Sequence, residues 1–362
     1  MCIRDSLYGE TVTIVATPYS GFRFLSWNGP RVANSSSATT KINLTMDSNL
    51  SATFEAIPSS SDGLVDPHEM VRRMGRGINL GNVLSAPEEG RWAPAATERY
   101  FMDLAEANFT NVRIPIDFYG SRTSGDTSSY SSLANTSSEF TGSMDDFTVS
   151  NTYLERIEEV VNWSLNQNLI TVLDLHGSAL KTEFLHTFNS SNSHYLEPTS
   201  ARRAADMTKF KSIWRAIATR FRDYAPELIF EIVNEPYFEL SASEMDTLNS
   251  EIITIFRASV GNITYRNLIL VGGGENSYLA PQQINPTILA SDSNLIATFH
   301  YYDPFKFTSS QRDQYDNNTW GTADEILSLQ THFDSVKTWS EAQGVPIYLG
   351  EFGADNAFCI MS

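Results

Sequence analysis

A (β/α)8 barrel of the TIM type, preceded by a small β-rich module, is the fold class that this 362-residue sequence predicts. Three observations predict it. Short apolar runs recur from about residue 77 to residue 350, amphipathic helical stretches separate them, and polar or ionisable residues stand where the runs end. Runs that are apolar on both faces and alternate with helices read as parallel strands joined by crossover helices.

The first element is the module over residues 1–56. Thr11-Val12-Thr13-Ile14-Val15-Ala16 alternates at period two, and Thr17-Pro18 breaks it. Phe22, Phe24 and Trp27 follow, then an Asn28-Gly29 turn, a second alternating run over residues 41–45 and a last strand over residues 50–54. The segment resembles one copy of the internalin B-type repeats of bacterial surface and secreted proteins, which implies a spacer. Trp27 is expected in its core rather than on a sugar. Residues 57–64, polar and containing Pro58 and Gly63, read as a linker.

From residue 65 to residue 362 the barrel pattern takes over. The strand candidates begin at Gly77, Asn111, Ile170, Leu228, Asn267, Leu295 and Pro346. Between them, apolar stripes such as Leu154/Ile157/Val161/Leu165, Phe210/Ile213/Trp214/Ile217/Phe221, Leu248/Ile252/Ile255/Phe256 and Ile326/Leu329/Phe333/Val336/Trp339 predict core-facing helices. An open doubly wound sheet is the alternative. No glycine-rich nucleotide fingerprint follows the first strand, and Gly272-Gly273-Gly274 lacks its spacing, which favours the barrel. Seven strands are visible, so the barrel is expected to be truncated after strand seven, with unpaired edges. The hexapeptides Met1–Ser6 and 357–362 read as foreign sequence flanking a fragment of a longer protein. Polar insertions over 120–150 and 177–199 follow strand C-termini, the face that carries barrel active sites.

Composition narrows the function. A net charge of −18 disfavours nucleic acid, anionic membranes and polyanionic substrates, and leaves neutral polymers or small molecules. No apolar run approaches the ~18–20 residues that span a bilayer. The two cysteines, Cys2 and Cys359, stand at the chain ends, which excludes a disulfide framework and a thiolate metal site. The six histidines (68, 176, 186, 194, 300 and 332) show no metal-ligand spacing, and no nucleophile elbow is present. No metal and no cofactor are expected.

The informative feature is the set at the strand ends: Asn82, Arg113, His176, Asn234, Glu235, His300, Tyr302 and Glu351. In a barrel these converge on one mouth. A carboxylate placed directly after an apolar run costs desolvation unless it is paired, so eight such residues in register predict a working site rather than caps. Two carboxylates on strands four and seven suit glycosidic cleavage, one protonated to give its proton to the leaving oxygen and one ionised to attack the anomeric carbon. Arg113 and Tyr302 are expected to keep Glu351 ionised, and the Glu351 charge to keep the proton on Glu235.

Six motifs carry a resemblance. Gly77-Ile78-Asn79-Leu80-Gly81-Asn82, Val112-Arg113-Ile114-Pro115, Leu173-Asp174-Leu175-His176, Phe230-Glu231-Ile232-Val233-Asn234-Glu235-Pro236, His300-Tyr301-Tyr302 and Leu349-Gly350-Glu351-Phe352-Gly353, in this order, resemble glycoside hydrolase family 5, the cellulase-type retaining barrels. The match covers about residues 70–356. It implies Glu235 as acid/base and Glu351 as nucleophile, with Arg113 and Tyr302 holding the nucleophile and Asn234, His176 and His300 contacting the sugar next to the cleaved bond. His300–Thr308 and Gly90-Arg91-Trp92 resemble the endoglucanases of the family that also accept mannans, and Trp92 is a candidate stacking platform. Ser85 and Gly177 replace a Glu and a second His found in many members, a departure that bears on substrate preference.

The resemblance implies a secreted or cell-surface monomer that hydrolyses plant or algal β-1,4-glucan from within the chain, with retention. The alternative within the same chemistry is an endo-β-1,4-mannanase or a mixed glucan/mannan hydrolase. The alternative of another class is a non-catalytic carbohydrate-binding surface protein, which has no need of two carboxylates.

Overall fold

The computed structural model describes residues 9–16, 22–45, 49–56, 65–125, 127–130, 136–177, 179–180, 199–236, 240–273, 277–308 and 319–354. The terminal hexapeptides, both cysteines, most of the linker, nearly all of the 177–199 insertion with His186 and His194, and Gly274 lie outside the described residues.

The N-terminal module forms two antiparallel pairs. Strand β1 (Thr11–Val15) pairs with β3 (Thr39–Asn43), and β2 (Phe22–Asn28) with β4 (Ser51–Ala56). The alternation of β1 buries Ile14 between exposed threonine and valine, as a half-buried strand requires. Trp27 is half-buried, its ring centroid 5.7 Å from that of Phe24 and its Nε1 donating to the Ser37 carbonyl at 3.0 Å. A core role is therefore what the structure gives it. Thr39 Oγ1 donates to Glu98 Oε1 at 3.0 Å, a contact between this module and the larger one.

The larger unit is built on seven parallel strands in sequence order: β5 (Gly77–Asn79), β6 (Asn111–Ile116), β9 (Ile170–Leu175), β10 (Leu228–Glu231), β11 (Leu268–Leu270), β12 (Leu295–Tyr301) and β13 (Ile347–Phe352). All seven predicted runs are strands, and neighbours in sequence are neighbours in the sheet. An unbroken order of this kind curls one sheet into a barrel instead of laying strands to both sides of the first. β5 and β13 are not ladder partners, yet Asn79 Nδ2 donates to the Gly350 carbonyl at 3.1 Å and brings the two edges together.

Alternation along the strands fills the barrel in layers. Ile170, Val172, Ile229, Ile269, Ile296 and Tyr348 form an apolar lower cluster, closed by Met70 and Met74 of helix α1 (Pro67–Met74). Above this cluster β9, β10 and β12 present Asp174, Glu231 and Thr298, and β6 presents Arg113, all fully buried. The outer faces pack against helices. These are α2 (Glu98–Glu106), α3 (Asn151–Asn166), α4 (Ala201–Arg220), α5 (Ala242–Ala258), the short α6 (Pro286–Ser291) and α7 (Phe305–Thr308), and α8 (Ala323–Gln343). Ser150, Ser200, Ser241 and Thr322 cap α3, α4, α5 and α8, each side chain accepting a first-turn N–H.

One expectation needs correction. The stripe on α8 is not a continuous core face: Val336 is buried, but Ile326 and Phe333 are each 39% exposed. Phe333 touches Phe299 and Tyr301, and no described element packs on the far flank of the helix. The 120–150 insertion carries local structure of its own, on which the sequence is silent. It holds a two-residue antiparallel pair, β7 (Thr123–Ser124) with β8 (Thr148–Val149), and several 3-10 turns.

Candidate active site

Strands β6, β9, β10, β12 and β13 end at the same mouth of the barrel, and their last inward residues meet there. Arg113 is the hub. Its side chain is 1% exposed, and Nε and Nη2 grip the Glu231 carboxylate at 2.7 and 3.0 Å. Nη2 also lies 3.0 Å from Asp174 Oδ2 and 2.8 Å from Asn234 Oδ1. Nη1 reaches Glu351 Oε1 at 2.7 Å and Asn79 Oδ1 at 3.2 Å. One guanidinium thus faces three carboxylates. Burial by itself would lower its pKa, but the combined field of Asp174, Glu231 and Glu351 raises it well above the ordinary value, so Arg113 stays charged. Glu231 responds in the opposite sense: burial raises its pKa more than Arg113 lowers it, and Asp174 adds to the rise.

The mouth of the site holds Glu235 and Glu351, both partly exposed, with side-chain exposures of 18% and 16%. Glu351 accepts from Arg113 through Oε1 and from the Tyr302 hydroxyl, at 3.0 Å, through Oε2. Burial and the Glu351 charge raise the Tyr302 pKa, which keeps the phenol protonated and donating. His300 lies between the two carboxylates, with Nδ1 2.8 Å from Glu235 Oε1 and 3.6 Å from Glu351 Oε2. Oxygen atoms of Glu235 and Glu351 and a ring nitrogen of His300 all lie within 4.8 Å of one another. Such a triangle also has the donor set of a metal site, which sequence spacing could not reveal because its members come from three strands.

A register shift makes this arrangement. Phe299 pairs with Leu349, but His300 pairs with Glu351, so β13 bulges at Gly350. The bulge turns Glu351 toward the mouth beside His300. A Cβ at residue 350 would stand 2.9 Å from His300 Nε2 and 3.0 Å from Thr298 Oγ1, so only glycine lets the imidazole approach this closely.

Of the predicted residues, the structure brings together Arg113, Asn234, Glu235, His300, Tyr302 and Glu351. His176 joins from behind, its Nδ1 2.9 Å from Asp174 Oδ2. Asn82 is not brought into this cluster. It is exposed, with φ +61°, and the inward residue of its strand is Asn79. Trp92 is 52% exposed on the loop after β5. Asn79, Asp174 and Glu231 were not among the expected site residues. Asp174 and Glu231 had a signal, a charge inside an otherwise apolar strand, which is affordable only with a buried partner.

Residues 73–358 match the model of the cellulase family, glycosyl hydrolase family 5, and residues 4–58 that of the divergent InlB B-repeat domain. The chain belongs to glycosyl hydrolase family 5. It is 36% identical over 298 residues to Endoglucanase H of Acetivibrio thermocellus, covering 82% of this chain and 27% of that protein. It is 25% identical over 312 residues to Endoglucanase B of Clostridium cellulovorans, covering 81% and 62% respectively. The chain therefore spans between about a quarter and three fifths of those two proteins. Among solved structures, the endoglucanase Cel5A of Thermotoga maritima superposes with a TM-score of 0.64 at 28% identity, over 80% of this chain and 82% of that one. A tri-modular endo-β-1,4-glucanase of Bacillus licheniformis, complexed with cellotetraose, does so with a TM-score of 0.65 at 28% identity, over 81% and 50%. The Thermotoga enzyme has also been solved with mannotriose, at 27% identity and a TM-score of 0.64, over 80% and 82%.

Proposed function

We propose that this chain is a retaining endo-β-1,4-glucanase in which Glu351 is the nucleophile and Glu235 the general acid/base. The observation that carries the reading is the distance between the two carboxylates, whose nearest oxygens lie within 4.8 Å. A gap near ~5–5.5 Å suits double displacement, whereas inversion needs ~6.5–9.5 Å to admit a water. The names of the relatives described above, each an endoglucanase or endo-β-1,4-glucanase, support the substrate class.

In the first step a Glu351 oxygen attacks the anomeric carbon while Glu235 protonates the departing glycosidic oxygen. In the second, Glu235 takes a proton from water, whose oxygen displaces Glu351 and restores both groups. Arg113 and Tyr302 hold Glu351 in position, one on each carboxylate oxygen. Asn234 Nδ2 is buried with no partner among the described residues, a donor suited to the sugar 2-hydroxyl. His300 orients Glu235, and the partly exposed His176, held by Asp174, is read as a contact of the sugar beside the cleaved bond. Trp92 offers an exposed ring to a pyranose further along the polymer.

The reading is of a monomeric enzyme, since the described site needs no group from a second chain. A polymeric substrate, too large to enter a cell, favours action outside it, secreted or held at the surface. Residues 1–56 serve as a spacer, 57–64 as the linker and 65–362 as the catalytic domain. Among the described residues no helix is long and apolar enough to cross a membrane.

Glu235→Gln and Glu351→Gln should each lower kcat on carboxymethylcellulose by at least about a thousandfold. Retained turnover in either variant would remove the assignment. A second reading, mannan or mixed glucan/mannan cleavage, is favoured by the mannotriose complex of the Thermotoga relative. Comparing carboxymethylcellulose, lichenan and galactomannan separates the two.

A further inference from the structure

A cavity of about 380 Å³ lies outside the catalytic mouth, lined by Tyr278, Tyr301, Asp303, Asp324, Glu325 and His332 among others. We propose that it binds a sugar unit of the polysaccharide substrate, as a second carbohydrate site adjoining the cleft. This rests on the polysaccharide hydrolase reading above.

Its position follows from strand alternation. His300 and Tyr302 point to the two glutamates, and Tyr301 between them points to the opposite face of β12. There its ring packs on Phe333 and its hydroxyl lies 3.0 Å from His332 Nδ1, both on α8. Tyr278, in the loop after β11, stacks on the His332 ring at 3.9 Å and 11°. The cavity therefore sits behind the wall of the site, at the same end of the barrel.

The lining decides the ligand class. It contains three carboxylates and neither lysine nor arginine, so it repels phosphates and acidic sugars. Carboxylates accept hydrogen bonds and donate none, so the ligand must be rich in donors. The rings call for an apolar face as well. A neutral pyranose meets both demands, with its C–H face for the rings and its equatorial hydroxyls for the acids. Its volume also suits a cavity near the lower end of the ~300–1,000 Å³ range of small-molecule sites. Glu325 is partly engaged, its Oε2 accepting from Gly321 N and from Thr322 N and Oγ1. Asp303 and Asp324 are exposed and are the principal acceptors. Because stacking and the Tyr301–His332 hydrogen bond already fix the rings, binding costs little ordering.

The test compares two substrates in the unaltered chain and in Tyr278→Ala and Asp324→Asn. An aryl β-cellobioside is short enough to occupy the cleft alone, and a soluble long-chain β-1,4-glucan reaches beyond it. The variants should lower kcat/KM on the long glucan by about three- to tenfold and leave the aryl cellobioside within about twofold. Asp324→Asn alters an exposed helical side chain, so its result does not depend on a refolded cavity. Equal losses on both substrates, or no loss on the glucan in either variant, would overturn the proposal. Failure of the unaltered chain on both substrates would instead overturn the hydrolase reading, and this inference with it.

Discussion

His300 bridges the two carboxylates of the site: its Nδ1 stands 2.8 Å from Glu235 and 3.6 Å from Glu351, although Glu235 follows β10 and the other two lie on β12 and β13. The bridge depends on a backbone feature, the bulge at Gly350, which lets the imidazole lie against a residue without a side chain.

Gly350→Ala should therefore act as a local wedge. The methyl group would press on His300 Nε2 and Thr298 Oγ1, and displacing them costs about 1–3 kcal/mol. The expected outcome is a fall in kcat much larger than the change in KM, with a folded protein by circular dichroism. Wild-type kcat in the variant would show that the position of His300 does not matter.

Tyr302→Phe removes a donor to a charged acceptor, an interaction of about 1.5–3 kcal/mol, so kcat/KM should fall about ten- to a hundredfold. The Tyr302 pKa is raised above its ordinary value near 10, so the phenol keeps its proton throughout the working range. The alkaline limb of the pH–rate profile below pH ~10 should consequently be the same in wild type and variant. A limb that vanishes in the variant would assign it to Tyr302.

Arg113→Lys keeps one charge but loses the two-pronged grip on Glu231 and the reach to Glu351 and Asn234. Breaking a buried pair of this kind costs about 3–5 kcal/mol. Urea denaturation should show that loss together with loss of turnover, and a stable, inactive variant would separate the two roles of the residue.

The loop carrying Trp92 is pinned at both ends. Arg122 donates to the carbonyls of Leu84, at 3.0 Å, and Ala86, at 2.6 Å, while its guanidinium lies over the Tyr153 ring. Arg122→Ala should raise KM for a polymeric substrate more than it lowers kcat, because neither Arg122 nor the carbonyls it holds are hydrogen-bonded to Glu235 or Glu351. Steady-state kinetics on a long glucan would check this, and a pure kcat effect would contradict it.

At the other end of that loop Glu89 meets Arg156 through two contacts of 2.9 and 2.8 Å and accepts from Ala96 N. The Arg156 hydrogen bond is the largest influence on Glu89 and lowers its pKa below 4.5, against burial. A depressed carboxylate contributes stability above its unfolded pKa and loses it as pH falls through the folded value. Glu89→Gln should therefore lower Tm near pH 6 and have little effect near pH 3, and a uniform shift would place the cause elsewhere.

The sequence by itself determined the seven strands, the helices between them and the six residues that meet at the mouth, because period-two and period-3.6 patterns report directly which faces are buried. Local signals also marked the N-terminal module and the core role of Trp27. Only the tertiary structure decided which inward residue of a strand reaches the site. Asn79 does so, whereas Asn82 lies beyond the end of β5, exposed and with a positive φ. It also decided that Asp174 and Glu231 share Arg113, that β13 bulges at Gly350, and that Ile326 and Phe333 of the α8 stripe stay partly exposed. These facts depend on pairing between segments far apart in the chain. Periodicity within one segment says which face is buried, but not what lies on the other side of it.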